Sequence, residues 1–380
     1  MSYTKSRGSI TFLTITILLT NIPATGSELS QNYWETLWVD SSSHLGYVFY
    51  VSWSPDGSKL ATASSDKSIK IWEVSSGIVI ATLSGHTECV RSVEWSPDGT
   101  KLASSADDGI IKIWNTSNWT LIKNLVGHVG GVFSVIWSPN GALLASCGCE
   151  DLHSTVPGDD TIRIWDVSTG MNIKILGGHK SGVYRISWSS DGSKIVSCSN
   201  DLTLIIWNAE TGNAIKTLTG HTNDLRAVGF SPNGTWLASG GADCTVRIWD
   251  TLSGECVKIF VQQDHIRSVS WHPEGDKLAI SGRNITLRIL NVTTGEIIAN
   301  FTEGGGVFTS SYSPDGTKVA ICSAGAICSG GYNSVRVLGI SIRRPEAPRL
   351  QLDWKHGVII VSAIAFIACL LIFRIRIKYR

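Results

Sequence analysis

The chain is 380 residues long, enough for two average domains or one large all-β domain. Its 32 basic and 31 acidic residues leave a formal net charge of +1, without the basic excess that a nucleic-acid partner requires. Nine cysteines include no C-x-x-C pair, which argues against zinc-ribbon and thioredoxin-type chemistry, while 15 Trp and 38 Gly point to a motif that repeats both types.

Residues 1–26 read as a signal peptide. Lys5 and Arg7 give a basic start, Ile10 to Leu19 an apolar run diluted by Thr, Pro23 a break, and Ala24 and Gly26 small residues for cleavage. A helix from Ile10 to Thr20 reaches roughly 16 Å against a hydrocarbon core of about 30 Å, too short to span.

Repetition then dominates. "SPDG" starts at Ser54, Ser96 and Ser313, with the variants "SPNG" at Ser138 and Ser231, "SSDG" at Ser189 and "HPEG" at His272. Successive spacings are 42, 42, 51, 42, 41 and 41 residues, so seven units fill most of the chain. The unit from Val90 to Gly127 shows the plan. An alternating run ends at Trp95, "SPDG" turns, "TKLASS" is a second strand, "IIKIWN" a third and "WTLIKNLVG" a fourth. One four-stranded unit cannot bury both faces; seven stacked radially can, as a β-propeller.

Five units share a constellation of side chains. Gly-His steps place His86, His128, His179 and His221, and Ser43-His44 takes the same position. Third strands end at Trp72, Trp114, Trp165, Trp207 and Trp249, each preceded by six residues by Asp66, Asp108, Asp159, Asp201 and Asp243. Thr62, Ser104, Ser146, Ser197 and Ser239 stand on the second strands. These units resemble WD (tryptophan–aspartate) repeats. The resemblance implies a hydrogen-bonded Ser/Thr–His–Asp–Trp tetrad in each, so the five histidines are structural rather than catalytic. Units six and seven depart from it: Gln262 and Glu303 replace His, and Leu290 and Leu338 replace Trp, which predicts two less rigidly tied blades.

Only six fourth strands follow in order, and the missing one is "YWETLWVD", Tyr33 to Asp40. The expected fold is therefore all-β: a seven-bladed propeller over 33–342, closed by its N-terminal strand, which leaves no open sheet edge at the seam.

No P-loop, HExxH, nucleophile elbow or dinucleotide fingerprint is present, and no cofactor is expected. The insertion "CGCEDLHSTVPGDD" offers Cys147, Cys149, Glu150, Asp151 and His153 to a soft metal, but Cys147 shares a small-residue slot with Cys198 and Cys322. Structural thiols beside a solvated loop are the better reading, and no metal site is assigned. A second insertion, "CSAGAICSGGY", invites a Cys322–Cys328 disulfide. Sequons at Asn115, Asn118, Asn233, Asn284, Asn291 and Asn300 support export only weakly.

The residue after each first-strand Val, Leu or Ile is Phe49, Arg91, Phe133, Tyr184, Arg226, Arg267 or Phe308, and two positions earlier stand Tyr47, Cys89, Asp224 and His265. Aromatic rings and Arg are the composition of protein-binding hot spots, so Tyr47, Phe49, Arg91, Phe133, Tyr184, Asp224, Arg226, His265, Arg267 and Phe308 form the expected partner-binding rim for a protein or peptide. The central channel, by contrast, is expected to repeat apolar Val and Trp, which argues against an enzyme there.

The chain ends with a juxtamembrane linker at 343–356, an uncharged run at 357–373 and a basic tail at 374–380. Seventeen residues reach about 26 Å, and eleven are Val, Ile, Leu or Phe, favouring insertion as a transmembrane helix by several kcal/mol. Arg374, Arg376, Lys378 and Arg380 place the tail in the cytoplasm by the positive-inside tendency. The expectation is a non-enzymatic scaffold, single-pass in the lipid bilayer, with its propeller on the extracytoplasmic side. The alternatives are a cytosol-facing, tail-anchored WD-repeat scaffold or regulatory factor, and a propeller hydrolase or oxidoreductase.

Overall fold

The computed structural model describes residues 32–149, 159–283, 287–301, 305–325 and 333–342. The segments expected to form a signal peptide, a linker, a membrane span and a basic tail lie outside these residues, as do Cys328, Glu303 and most of the first insertion. Among the described residues no helix is long and apolar enough to cross a membrane.

Seven four-stranded antiparallel sheets make a β-propeller, and six of them use four consecutive strands. Blade one runs through Val48–Trp53, Lys59–Ser64, Ile69–Glu73 and Ile78–Leu83 from the axis outward. The local cause is the repeated turn. In "SPDG" the Ser54 hydroxyl donates to Asp56 at 2.5 Å and accepts from the Lys59 amide at 2.9 Å, while Gly57 takes φ +69°. A side chain with a Cβ is disfavoured in that left-handed conformation, which is why Gly ends the tetrapeptide. The Ser54 bond, then the Ser58 amide, holds the Asp56 carboxyl down at about 2.

The core lies between blades rather than inside any one of them. Ile69, Ile71 and Leu83 of blade one pack on Val90, Val93 and Trp95 of blade two, and the same interlock recurs around the ring. Each blade therefore depends on its neighbours to remove its apolar faces from water, at about 1.5–3 kcal/mol per large side chain. Cys147 and Cys198, fully buried, face the following blade in this way, and Cys322 packs against blade one across the seam.

The seam closes as expected. The strand Asn32–Asp40 pairs with Ser334–Ile342 on the outside of the last sheet. Trp38 of that strand reaches blade one, donating its indole N–H to the Val74 carbonyl at 2.8 Å.

Each of the seven inner strands is interrupted once. The ladder with the second strand skips Phe49, Arg91, Phe133, Tyr184, Arg226, Arg267 and Phe308 in turn. A β-bulge leaves its extra residue unpaired and shifts the phase of alternation beyond it. All seven bulged residues are those that the sequence singled out for the rim.

Candidate docking rim and central channel

The loops that carry the rim are held from below by five repeated hydrogen-bond chains. In blade four, Trp207 Nε1 donates to Ser197 Oγ at 2.8 Å, Ser197 Oγ meets His179 Nε2 at 2.7 Å, and His179 Nδ1 meets Asp201 Oδ2 at 2.8 Å. An indole N–H can only donate and a carboxylate only accept. His179 Nδ1 therefore donates to the carboxylate, and the serine hydroxyl, which accepts the indole N–H, is the hinge between Trp207 and His179 Nε2. Equivalent chains join Trp72–Thr62–His44–Asp66, Trp114–Ser104–His86–Asp108, Trp165–Ser146–His128–Asp159 and Trp249–Ser239–His221–Asp243 at 2.7–2.9 Å. Each Asp also accepts the amide of the residue after its His, as Asp201 does from Lys180 at 2.9 Å, so the loop into the inner strand is tied to the loop between strands two and three.

The electrostatics agree with that assignment. Burial alone would raise the Asp159 carboxyl, but the His128 and Thr161 bonds outweigh it and hold it well below the usual range. Burial pushes His128 and His221 below the ordinary imidazole value despite their Asp partners, which keeps them neutral.

Blades six and seven replace the chain with apolar contact. Ile280 and Leu290, and likewise Ile321 and Leu338, occupy the Ser/Thr and Trp positions and are buried. Gln262, standing where the others have His, accepts from Arg288 Nη1 at 2.7 Å.

The bulged side chains converge on the axis and form a ring. Arg91 lies between Phe49 and Phe133, 4.6 and 4.8 Å from their centroids. Phe133 meets Tyr184 edge-on at 5.5 Å, Arg226 stacks on Tyr184 at 4.7 Å, Arg267 on Phe308 at 4.5 Å, and Phe308 meets Phe49 at 5.2 Å. The one step without an aromatic partner joins Arg226 to Arg267. Burial, followed by the charges of Arg226 and Arg283, lowers the Arg267 guanidinium from its ordinary value. The ring encloses a recess of about 110 Å³ and narrows the channel at this end.

The other rim candidates stand around it. Tyr47 is exposed and lies 6.5 Å from Phe49 and 6.4 Å from Phe308. Asp224 is a loose partner of Arg226 at 3.7 Å, and His265 is half-buried on the loop of blade six. Sequence reasoning missed Asp107, which takes Arg91 Nε at 2.7 and 2.9 Å on its two oxygens and so fixes the guanidinium that bridges two rings.

Behind the ring, the channel is not the Val and Trp surface expected from the sequence. Trp53, Trp95, Trp137, Trp188 and Trp271 do line its far end, but Tyr50, Glu94, Arg185, Ser187, Ser270 and Thr309 line its wall. The reason is the bulge: beyond it, the second and fourth residues after the strand-one apolar position face the axis. Among the fourteen residues at those two positions, Glu94 and Arg185 alone are charged, a signal that alignment of the seven inner strands would have exposed. Burial raises Glu94 to about 7, against the opposing effects of the Ser52 hydroxyl and the Arg185 charge.

Of the first insertion's candidate ligands, only Cys147 and Cys149 fall among the described residues; Glu150, Asp151 and His153 lie outside them. Burial drives the Cys147 thiol well above its usual value and Cys149 to about 11, which disfavours the thiolates that a soft metal needs. His272, Glu274 and Asp276 cluster on a turn, where the Glu274 amide donates to His272 Nδ1 at 3.2 Å. Cys322 is a free, buried thiol, and its proposed partner Cys328 lies outside the described residues.

Comparison with known families agrees with this geometry. The family model "WD domain, G-beta repeat" matches residues 37–73, 77–115 and 119–166, and that of the IFT122 first beta-propeller matches 154–329. Nuclear distribution protein PAC1 of Coccidioides posadasii is 33% identical over 161 residues, 42% of this chain and 34% of that protein. WD repeat-containing protein 1 of Gallus gallus is 45% identical over 42 residues, 11% of this chain and 7% of its own length. WD repeat domain-containing protein 83 of Danio rerio is 44% identical over 59 residues, 16% of this chain and 18% of that protein. The chain thus spans about a third or less of each of these relatives. Together with the fold, the two family models support a WD-repeat propeller.

Proposed function

We propose that this chain is a non-enzymatic, membrane-anchored scaffold that captures a protein or peptide on the aromatic–arginine rim of its propeller, facing the extracytoplasmic side. The coarse part rests on the WD-repeat match, since propellers of this type suggest protein-interaction scaffolds. The observation that carries the rim is the ring of seven side chains from Phe49 to Phe308, built from the residue types that dominate binding hot spots and fixed by cation–π and edge-on contacts at every step but Arg226 to Arg267. Because its side chains already hold one another, a partner pays little ordering entropy to use them. Arg226 and Arg267 stand together on the ring, which suits a carboxylate on the partner.

The anchor and the sidedness rest on the sequence at 1–26 and 357–380. Affinity capture from native membranes tests the rim: Phe133→Ala, Tyr184→Ala and Arg226→Ala combined should leave the thermal melt cooperative and remove the captured protein. Capture unchanged by that triple substitution would reject the rim. Protease added to sealed microsomes tests the side, because the propeller should be protected; digestion of the propeller there would reject an extracytoplasmic placement.

A further inference from the structure

The channel has the size and the polarity of a ligand site, and none of that is needed for docking on the rim. Its volume is about 560 Å³, within the range of small-molecule pockets. One end is narrowed by the aromatic–arginine ring and the other is lined by Trp and Pro side chains, so the chamber is entered from the face that carries the "SPDG" turns.

A carboxyl, Glu94, and a guanidinium, Arg185, line this chamber without pairing with each other. Arg185 lies over the Tyr50 ring at 4.3 Å, and its Nη2 makes only a long contact to Thr309 Oγ1 at 3.4 Å. Its buried Nη1 has no hydrogen-bond partner among the described residues. A guanidinium nitrogen withdrawn from water without an acceptor is costly, typically about 1–3 kcal/mol or more, and a carboxylate restores what it lost. Glu94 comes from a different blade and, among the described residues, forms no ion pair with Arg185, though it is near enough for that charge to lower its pKa. Had the two met directly, each would have satisfied the other and closed the site.

We propose that the channel binds a small zwitterion of the α-amino-acid class, with its carboxylate on Arg185 and its ammonium group on Glu94. Tyr50 supplies an aromatic wall beside the carboxylate. Ser187 and Ser270 are occupied in part by the backbone amides of Phe230 and Tyr312, at 3.3 and 3.1 Å, and so set the chamber's shape more than its specificity. The side chain of the ligand points toward the Trp-lined mouth, where an apolar or aromatic group is favoured over a charged one. This site stands or falls independently of the rim.

The test uses the full-length chain and the L-amino acids tyrosine, phenylalanine, leucine, glutamate and lysine as probes, read by calorimetry and by the fluorescence of the channel tryptophans. At least one of the three apolar or aromatic probes should bind saturably at 10 mM or below, and its amide and N-acetyl derivatives should bind at least tenfold more weakly. Arg185→Met and Glu94→Gln should each remove the signal, whereas Arg185→Lys, which keeps the charge, should retain part of it. Absence of binding by all five probes to the folded wild-type protein overturns the proposal. So does binding that survives N-acetylation or amidation, an outcome read on wild-type protein and therefore immune to a variant that fails to fold.

Discussion

Trp38 stacks on Trp72, with ring centroids 5.7 Å apart and planes inclined by 22°. The first residue belongs to the strand that completes the last blade, and the second to the third strand of the first blade. This contact therefore crosses the seam of the ring and couples its two ends. Trp38→Ala removes the stack and the 2.8 Å bond to the Val74 carbonyl. A loss of about 2–4 kcal/mol is expected, measured as a lower urea midpoint with earlier exposure of the last blade in hydrogen exchange. A midpoint unchanged from wild type would show that the seam does not depend on this pair.

Ser197 is the centre of the blade-four chain, accepting the Trp207 indole N–H and pairing with His179 Nε2. Ser197→Ala leaves two buried polar groups without partners, at about 1–3 kcal/mol each, so destabilisation near 3 kcal/mol is expected. Chemical denaturation monitored by Trp fluorescence measures it. A loss below about 0.5 kcal/mol would mean that water or another side chain takes over the pairing.

The channel gives stability an unusual pH dependence. Glu94 is raised by burial from 4.5 to about 7, so the folded state holds a proton that the unfolded chain releases. Stability from this group is greatest below about 4.5 and is lost as pH rises through 7, amounting to about 3 kcal/mol. Tyr50, which lines the same chamber, is pushed up to about 12, chiefly by burial, and so does not titrate in this window. Glu94→Gln should therefore raise the melting temperature at pH 8 far more than at pH 5. Equal shifts at both pH values would remove the carboxyl as the source.

The acid limb should run the other way. The depressed carboxyls of Asp66, Asp108, Asp159, Asp201 and Asp243 contribute stability above the ordinary carboxylate range, lost as pH falls below about 4. The lowered imidazoles of His128 and His221 add a loss that begins below about 6.5. Asp201→Asn should flatten part of this limb in a pH series of thermal melts; a limb as steep as wild type would assign it elsewhere.

Arg91 holds the rim together through Asp107, and Arg91→Lys keeps the charge but loses the two-oxygen grip and the planar stack on Phe49 and Phe133. Folding stability should change by less than about 1 kcal/mol while partner affinity falls about tenfold or more, read by titration of the captured partner. Affinity equal to wild type would move the binding surface away from this sector.

Much of this molecule is written locally. Seven turns of the "SPDG" kind, alternating strands between them, and His, Asp, Trp and Ser/Thr at fixed offsets suffice to derive the blades and the hydrogen-bond chains that pin them. The displaced closing strand was legible too, because a ring with six outer strands lacks one partner and only "YWETLWVD" aligns with that position. Local rules end where one residue decides which face a strand presents. A single bulge in each inner strand reverses the alternation beyond it, so side chains that period-two counting would bury turn toward the axis. That reversal, repeated by seven separate blades, is what brings Phe49 and Phe308 into contact from opposite ends of the chain. It also sets Glu94 and Arg185 in one chamber, a meeting that exists only once the ring has closed.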